Sequence, residues 1–183
     1  LRPKDPHILF ARGIANARIG TTKGVLSSLF LARTVEADWL AATTAVYASI
    51  EGKEALPSDA YLALGIFYRL VPDWWIVQVV AGTRGDLDKS LSFHQKAVAL
   101  KPSIDALKEL GVTQLCIAER REDAAMREAG MASLDRGLAV PARSEKNRID
   151  ISHMREIKAN PGLACEYSRD GQQDLDEKKL QQK

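Results

Sequence analysis

The stretch Asp86-Leu87-Asp88-Lys89-Ser90-Leu91-Ser92-Phe93-His94-Gln95-Lys96-Ala97-Val98-Ala99-Leu100-Lys101-Pro102 decides how the chain is to be read. Asp86 is a good N-cap, because its carboxylate can accept from the first free amides of a helix. Pro102 cannot continue one. Between them Ser90, His94 and Ala97 recur at helical spacing and share one face. Small residues let two helix backbones approach, and a bulky one fills the space between neighbouring hairpins. The segment before it has the matching half. Pro57-Ser58-Asp59 opens a helix carrying Tyr61, Leu64, Gly65 and Tyr68, which Pro72 ends. After Pro102 the pattern restarts: Ser103 opens a helix with Leu107, Leu110, Gly111 and Leu115.

Outward from this centre the chain reads as helices separated by Gly and Pro. A first helix is predicted from Asp5-Pro6 to Gly20, with Pro at its first position and Gly as its C-cap. A long second one is predicted from Lys23 to Ile50, with a break near Asp38 and Val25, Leu29, Val35, Trp39, Val46 and Ile50 in the core. Further helices are predicted over 123–139, stopped by Pro141, and over 144–159, opened by Ser144. Asn160-Pro161-Gly162 breaks the last, and the polar tail after it is expected to pack only weakly. The fold class is therefore all-α, and no stretch reads as a strong strand.

The Tyr61, Leu64, Gly65, Tyr68, Ser90, His94, Ala97 and Pro102 positions resemble a tetratricopeptide repeat. Leu107, Leu110 and Gly111 begin a partial second copy, with Gln114 in place of the bulky fourth residue. Leu9, Gly13 and Asn16 resemble a degenerate earlier one, with Arg12 where leucine is expected. The resemblance implies a short right-handed α-solenoid of antiparallel hairpins. The organisation it implies is one TPR-like domain over 1–160: a degenerate hairpin 5–51, a hairpin 58–102 with an apolar insertion 71–85, a hairpin 103–141 and a capping helix 144–159. Residues 161–183 form the tail. The order of a Gly-Thr after the insertion, the Ala-Val-Ala-Leu-Lys-Pro helix end at 97–102, Leu138-Ala139-Val140-Pro141 and Glu145-Lys146-Asn147-Arg148-Ile149-Asp150 also resembles the regulator-of-microtubule-dynamics-like proteins and bacterial envelope TPR proteins. A looser similarity is to the T-component of TRAP transporters.

The insertion is the main departure. An ordinary repeat passes from the Tyr68 position to the Ser90 position in about nine residues, and here the passage takes 22. The added residues include Trp74, Trp75, Ile76, Val77, Val79 and Val80, which are costly to leave in water. The expectation is that the chain covers them itself, first with the 23–50 helix through Val25, Leu29 and Trp39. The alternative is an apolar lip for a ligand, a partner or another copy.

Composition narrows the function. The 26 basic and 24 acidic side chains are mixed along the chain and leave a net charge of +2, so no nucleic-acid footprint is present. No apolar run reaches the ~20 residues of a membrane-spanning helix. The three histidines are too far apart for a helical metal pair, and no phosphate loop, nucleophile elbow or dinucleotide fingerprint occurs. No metal site, cofactor or catalytic residue is expected. Gly20-Thr21-Thr22-Lys23-Gly24 lacks the strand and the ending of a phosphate loop and reads as an interhelical turn. Cys116 and Cys165 are either one disulfide or two free thiols. The chain opens on Leu1 rather than Met, consistent with a removed leader or a start inside a longer chain.

The expected function is a non-catalytic scaffold or adaptor that binds a protein or peptide in the groove of the solenoid. Lys108 is the one basic residue that falls where chaperone-binding tetratricopeptide proteins place their groove clamp; the first hairpin offers Asn16 and Arg18, the central one Arg69, and Trp74 and Trp75 mark the insertion. The basic clamp of chaperone-binding members is not reproduced, since Val112 stands where its Asn is expected. The alternative is an envelope carrier or transporter accessory protein that takes a small apolar ligand near Trp74 and Trp75. A homo-oligomer is a further way to cover that surface. The envelope resemblance implies a periplasmic or envelope location, with the cytoplasm as the alternative.

Overall fold

The computed structural model describes residues 5–23, 28–45, 56–169 and 171. Those residues form eight α-helices and, among them, no strand: α1 (Pro6–Lys23), α2 (Leu29–Ala42), α3 (Ser58–Leu70), α4 (Trp75–Ala81), α5 (Leu87–Leu100), α6 (Ile104–Arg121), α7 (Ala124–Leu138) and α8 (Glu145–Ala159). The chain is all-α. It divides into two compact units, 1–101 and 102–183.

The first unit is built from two helix pairs, α1 with α2 and α3 with α5. In the second pair the small residues act as their positions predict. Ser90 Oγ donates to the Gly65 carbonyl at 2.7 Å, Ser58 Oγ donates to the Ala97 carbonyl at 3.1 Å, and Ala97 has no exposed surface. The two helices therefore run antiparallel. A Cβ at Gly65 would stand 2.3 Å from the His94 ring, so the glycine is what admits the imidazole. Phe93 stacks on Tyr61 and Tyr68, at 6.0 and 5.6 Å between ring centroids. The α1–α2 pair uses the same device. Trp39 fills the space above Gly13, where a Cβ would lie 2.3 Å from the indole nitrogen, and that nitrogen donates to the Phe10 carbonyl at 3.4 Å. Arg12 holds buried Asp38 across the pair, Nε to Oδ2 at 2.7 Å.

The insertion leaves the α3–α5 pair and returns to the point it left. The Asp86 amide donates to the Tyr68 carbonyl at 2.8 Å, and the Gly85 amide donates to the Pro72 carbonyl at 3.2 Å. A side chain at Gly85 is excluded, because its Cβ would fall 2.0 Å from the Val71 carbonyl oxygen. The hairpin register thus survives the additional chain. Inside the excursion the β-branched run forms a short helix, α4, which Gly82 ends in the left-handed conformation at φ 73°.

In the second unit α6 and α7 are antiparallel and very close. Leu134 occupies the place a side chain at Gly111 would take, and Leu115 the place of one at Gly130. Gly137 gives the same room to Met154 of α8 and to Leu107. Asp86, Ser103 and Ser144 cap their helices as read and Asp123 caps α7, each accepting a first-turn amide.

Three expectations are corrected. The first helix continues past Gly20 to Lys23; Gly20 faces Ser28 Cβ at 3.7 Å and gives room rather than an ending. The second spans Leu29–Ala42 rather than 23–50, and Val25, Val46 and Ile50 lie outside the described residues. The first part of the tail is held, not loose. Pro161–Leu163 form a 3-10 turn on α6 and α8, Ala164 and Tyr167 are buried, and Cys165 forms a disulfide with Cys116.

Candidate functional site

Residues 75–80 are rich in β-branched side chains, yet they follow Trp74 into a helix that rests on α2. Val77 and Ala81 face that helix and pack with Ala32, Leu29, Phe67 and Val71. Trp75, Ile76, Val79 and Val80 then fall together on an arc of about 140° pointing the other way. They stay in solvent: Trp75 is 72% exposed, Val79 71%, Val80 67% and Ile76 50%, and the neighbouring Trp74 57%. The expectation that the chain covers its own insertion is met only for Val77 and Ala81. One helix can bury only one face against one neighbour, and Trp39, expected to cover α4, is committed to Gly13 of α1.

The exposed ridge carries no charge of its own. Of the charges beside it, Asp73 and Arg84 face each other at 3.5 Å, and exposed Arg33 of α2 lies against Gly82. From the fractional exposures and the 150–250 Å2 an aromatic side chain can bury, the five side chains present roughly 600 Å2 of apolar surface. That is the upper end of the patch size usual on a monomer, about 300–600 Å2. Phe30 of α2 is exposed as well.

The groove residues do not assemble into one site. Asn16 is half-buried and lines a small cavity between α1, α2 and α3, Arg18 is exposed on α1, and Arg69 is buried in the last turn of α3. Lys108 is turned inward within the second unit. Its Nζ lies 2.6 Å from Asp150 Oδ1 and 3.2 Å from Glu109 Oε1, over the Tyr167 ring at 5.2 Å. A lysine so placed is used up by its neighbours and has nothing left to offer a peptide.

That inward cluster is the feature sequence reading missed. Arg169 Nε reaches Asp150 Oδ1 at 3.3 Å, and His153 Nδ1 meets the Tyr167 hydroxyl at 3.0 Å. Burial alone would lower the pKa of Lys108, but Glu109, Tyr167 and Asp150 outweigh it and the ammonium is held more firmly than usual. Burial, then the Glu109 charge, push the Tyr167 phenol up. A signal was present: Asp150, His153, Met154 and Ile157 form an i, i+3, i+4, i+7 stripe, so an aspartate and a histidine occupy core positions of α8. Nearer the surface, Asp105 is pulled down to about 2: burial opposes this, but the Lys146 ion pair and the Ser103 hydrogen bond prevail. Among the described residues no group of three His, Cys, Asp or Glu stands together to hold a metal, and no helix is long and apolar enough to cross a membrane.

No protein-family model matches the chain, and no curated protein or solved structure matches it either.

Proposed function

We propose that the chain is a non-catalytic adaptor of the tetratricopeptide type that docks the α4 ridge into an apolar groove of a protein partner. The carrying observation is the outward arc of Trp75, Ile76, Val79 and Val80 on a helix whose opposite face is already buried. Aromatic and aliphatic anchors of this kind are what protein interfaces concentrate. The ridge's roughly 600 Å2 is most of the ~800 Å2 that each side of a standard interface buries. A protein fits better than an anionic membrane, since Asp73 stands against Arg84 and Arg33 is by itself too little for a basic collar. The repeat assignment rests on the Gly65–His94 and Ser90–Gly65 contacts of the α3–α5 pair. The Cys116–Cys165 disulfide supports an oxidising compartment such as the periplasm. The carrier alternative has less behind it, because Trp74 and Trp75 project into solvent instead of enclosing a pocket.

The test is affinity capture with the wild-type chain and with the Trp75→Ala/Val79→Ser variant, followed by titration of each recovered protein in purified form. A partner that binds the wild type and is weakened at least tenfold by the variant supports the reading. Equal binding by the two forms refutes it, as does ridge-dependent sedimentation with lipid vesicles or a ridge-dependent dimer on a sizing column in the absence of any other protein.

A further inference from the structure

Glycines in the helix pairs of the first unit are filled from across the pair, Gly13 by Trp39 and Gly65 by His94. Gly20 is the exception. Among the described residues the nearest atom a Cβ there would meet is Ser28 Cβ at 3.7 Å, and the space beside it is a partly open cavity of about 140 Å3. Ala17 of α1, Ala32 and Val35 of α2, and Phe67 and Leu70 of α3 line it, so the walls are apolar and several are small. A core without a ligand to receive would use larger residues here, because voids forfeit contacts.

Ser28 supplies the second observation. It stands at the N-cap of α2, where a serine ordinarily accepts from a first-turn amide, and its side chain does not cap. It is 5% exposed, lines the cavity, and its Oγ has no hydrogen-bond partner. A buried hydroxyl left unpaired is costly unless something else satisfies it. Asn16 is the other polar side chain among the described walls.

We propose that this cavity is a binding site for a compact aromatic alcohol, a phenol-sized molecule whose ring takes the apolar space and whose hydroxyl pairs with Ser28 Oγ. The size agrees: a dry apolar cavity of about 150 Å3 accepts benzene. A hydroxyl on the ring meets the unpaired Ser28 Oγ in the wall, and a site built to pair a hydroxyl discriminates against the analogue that lacks it. The site stands apart from the ridge reading, since neither Trp74 nor Trp75 lines it.

The test is two-dimensional NMR of the full chain titrated with phenol and, separately, with benzene, read at the Trp39 indole N–H in the cavity wall. Phenol is expected to give a saturable shift and to bind about tenfold more tightly than benzene, the worth of one net hydrogen bond. Ser28→Ala should bring the two affinities together while benzene still binds. Ile66→Phe, which fills the cavity from the rim, should abolish both, and it carries the test alone if Ser28→Ala does not fold. Trp75→Ala/Val79→Ser should leave phenol binding unchanged, which separates failure here from failure of the ridge. The proposal is overturned if the Trp39 signal never saturates, if the preference for phenol survives Ser28→Ala, or if Ile66→Phe still binds either probe.

Discussion

Both units bury charged side chains, Asp38 and Arg69 in the first and Lys108, Glu109 and Asp150 in the second. Among the described residues, however, only the first leaves large apolar side chains such as Trp74, Trp75, Ile76, Val79 and Val80 in water. The buried charges of the second unit are paired within it, although Asp150 Oδ2 has no hydrogen-bond partner: Lys108 has two carboxylates within 3.2 Å, and Asp150 Oδ1 also takes Arg169. Among the described residues of the first unit nothing does the same for the ridge. A departure that the fold compensates internally is part of how the fold is held, and one left uncompensated is where another molecule can contribute. On that ground the ridge is the surface we propose for docking, and the charged cluster belongs to the scaffold.

The sharpest way to break this contrast is Asp150→Ala. It leaves Lys108 and Arg169 facing a cavity, and removing one partner of a buried ion pair costs about 3–5 kcal/mol. A urea melt should show that loss, and a loss below about 1 kcal/mol would mean the cluster is not structural. Next in size is the disulfide. Cys116→Ser with Cys165→Ser should cost about 2–4 kcal/mol and raise amide exchange over 161–169, since Cys165 ties that segment to α6. Unchanged exchange there would show that Tyr167 and Arg169 hold the segment alone.

Acid sharpens the comparison further, because the second unit carries the depressed carboxyl. Asp105 ionises at about 2 in the folded chain and near the ordinary value of about 3.9 when unfolded. Its contribution, about 2 kcal/mol by linkage, is therefore full above roughly pH 4 and is lost as pH falls toward 2. Lys146→Ala should flatten that acid limb, and a limb of unchanged steepness would remove the ion pair from the account. The smallest effect belongs to the ridge. Trp74→Ala with Trp75→Ala should cost less than about 1 kcal/mol in a melt, since both side chains are mostly exposed. A larger loss would mean that the fold itself uses the ridge.

Much of the scaffold was legible because it is written in neighbouring residues. Asp86, Ser103, Asp123 and Ser144 each accept an amide two or three positions on, and that spacing is visible in the chain. The pairing of small with bulky groups at Gly65, Ser90, His94 and Ala97 was readable too, since helical period puts them on facing sides. Gly20 misled, because a glycine that makes room looks like one that ends a helix. Of the foreseen residues, Arg18, Trp74 and Trp75 are accessible; Lys108 was foreseen as a groove residue and turned inward.

The chain by itself determined helical class, most helix starts and the presence of an apolar insertion, all consequences of local preference and period. Only the tertiary structure decided which side of that insertion is covered, that Cys116 meets Cys165, and that Lys108 meets Asp150 across 42 positions. The physical reason is that burial belongs to pairs of surfaces. Period marks a face as apolar or a charge as misplaced, but whether another element arrives to cover or neutralise it depends on groups far along the chain, and no spacing within one helix records them.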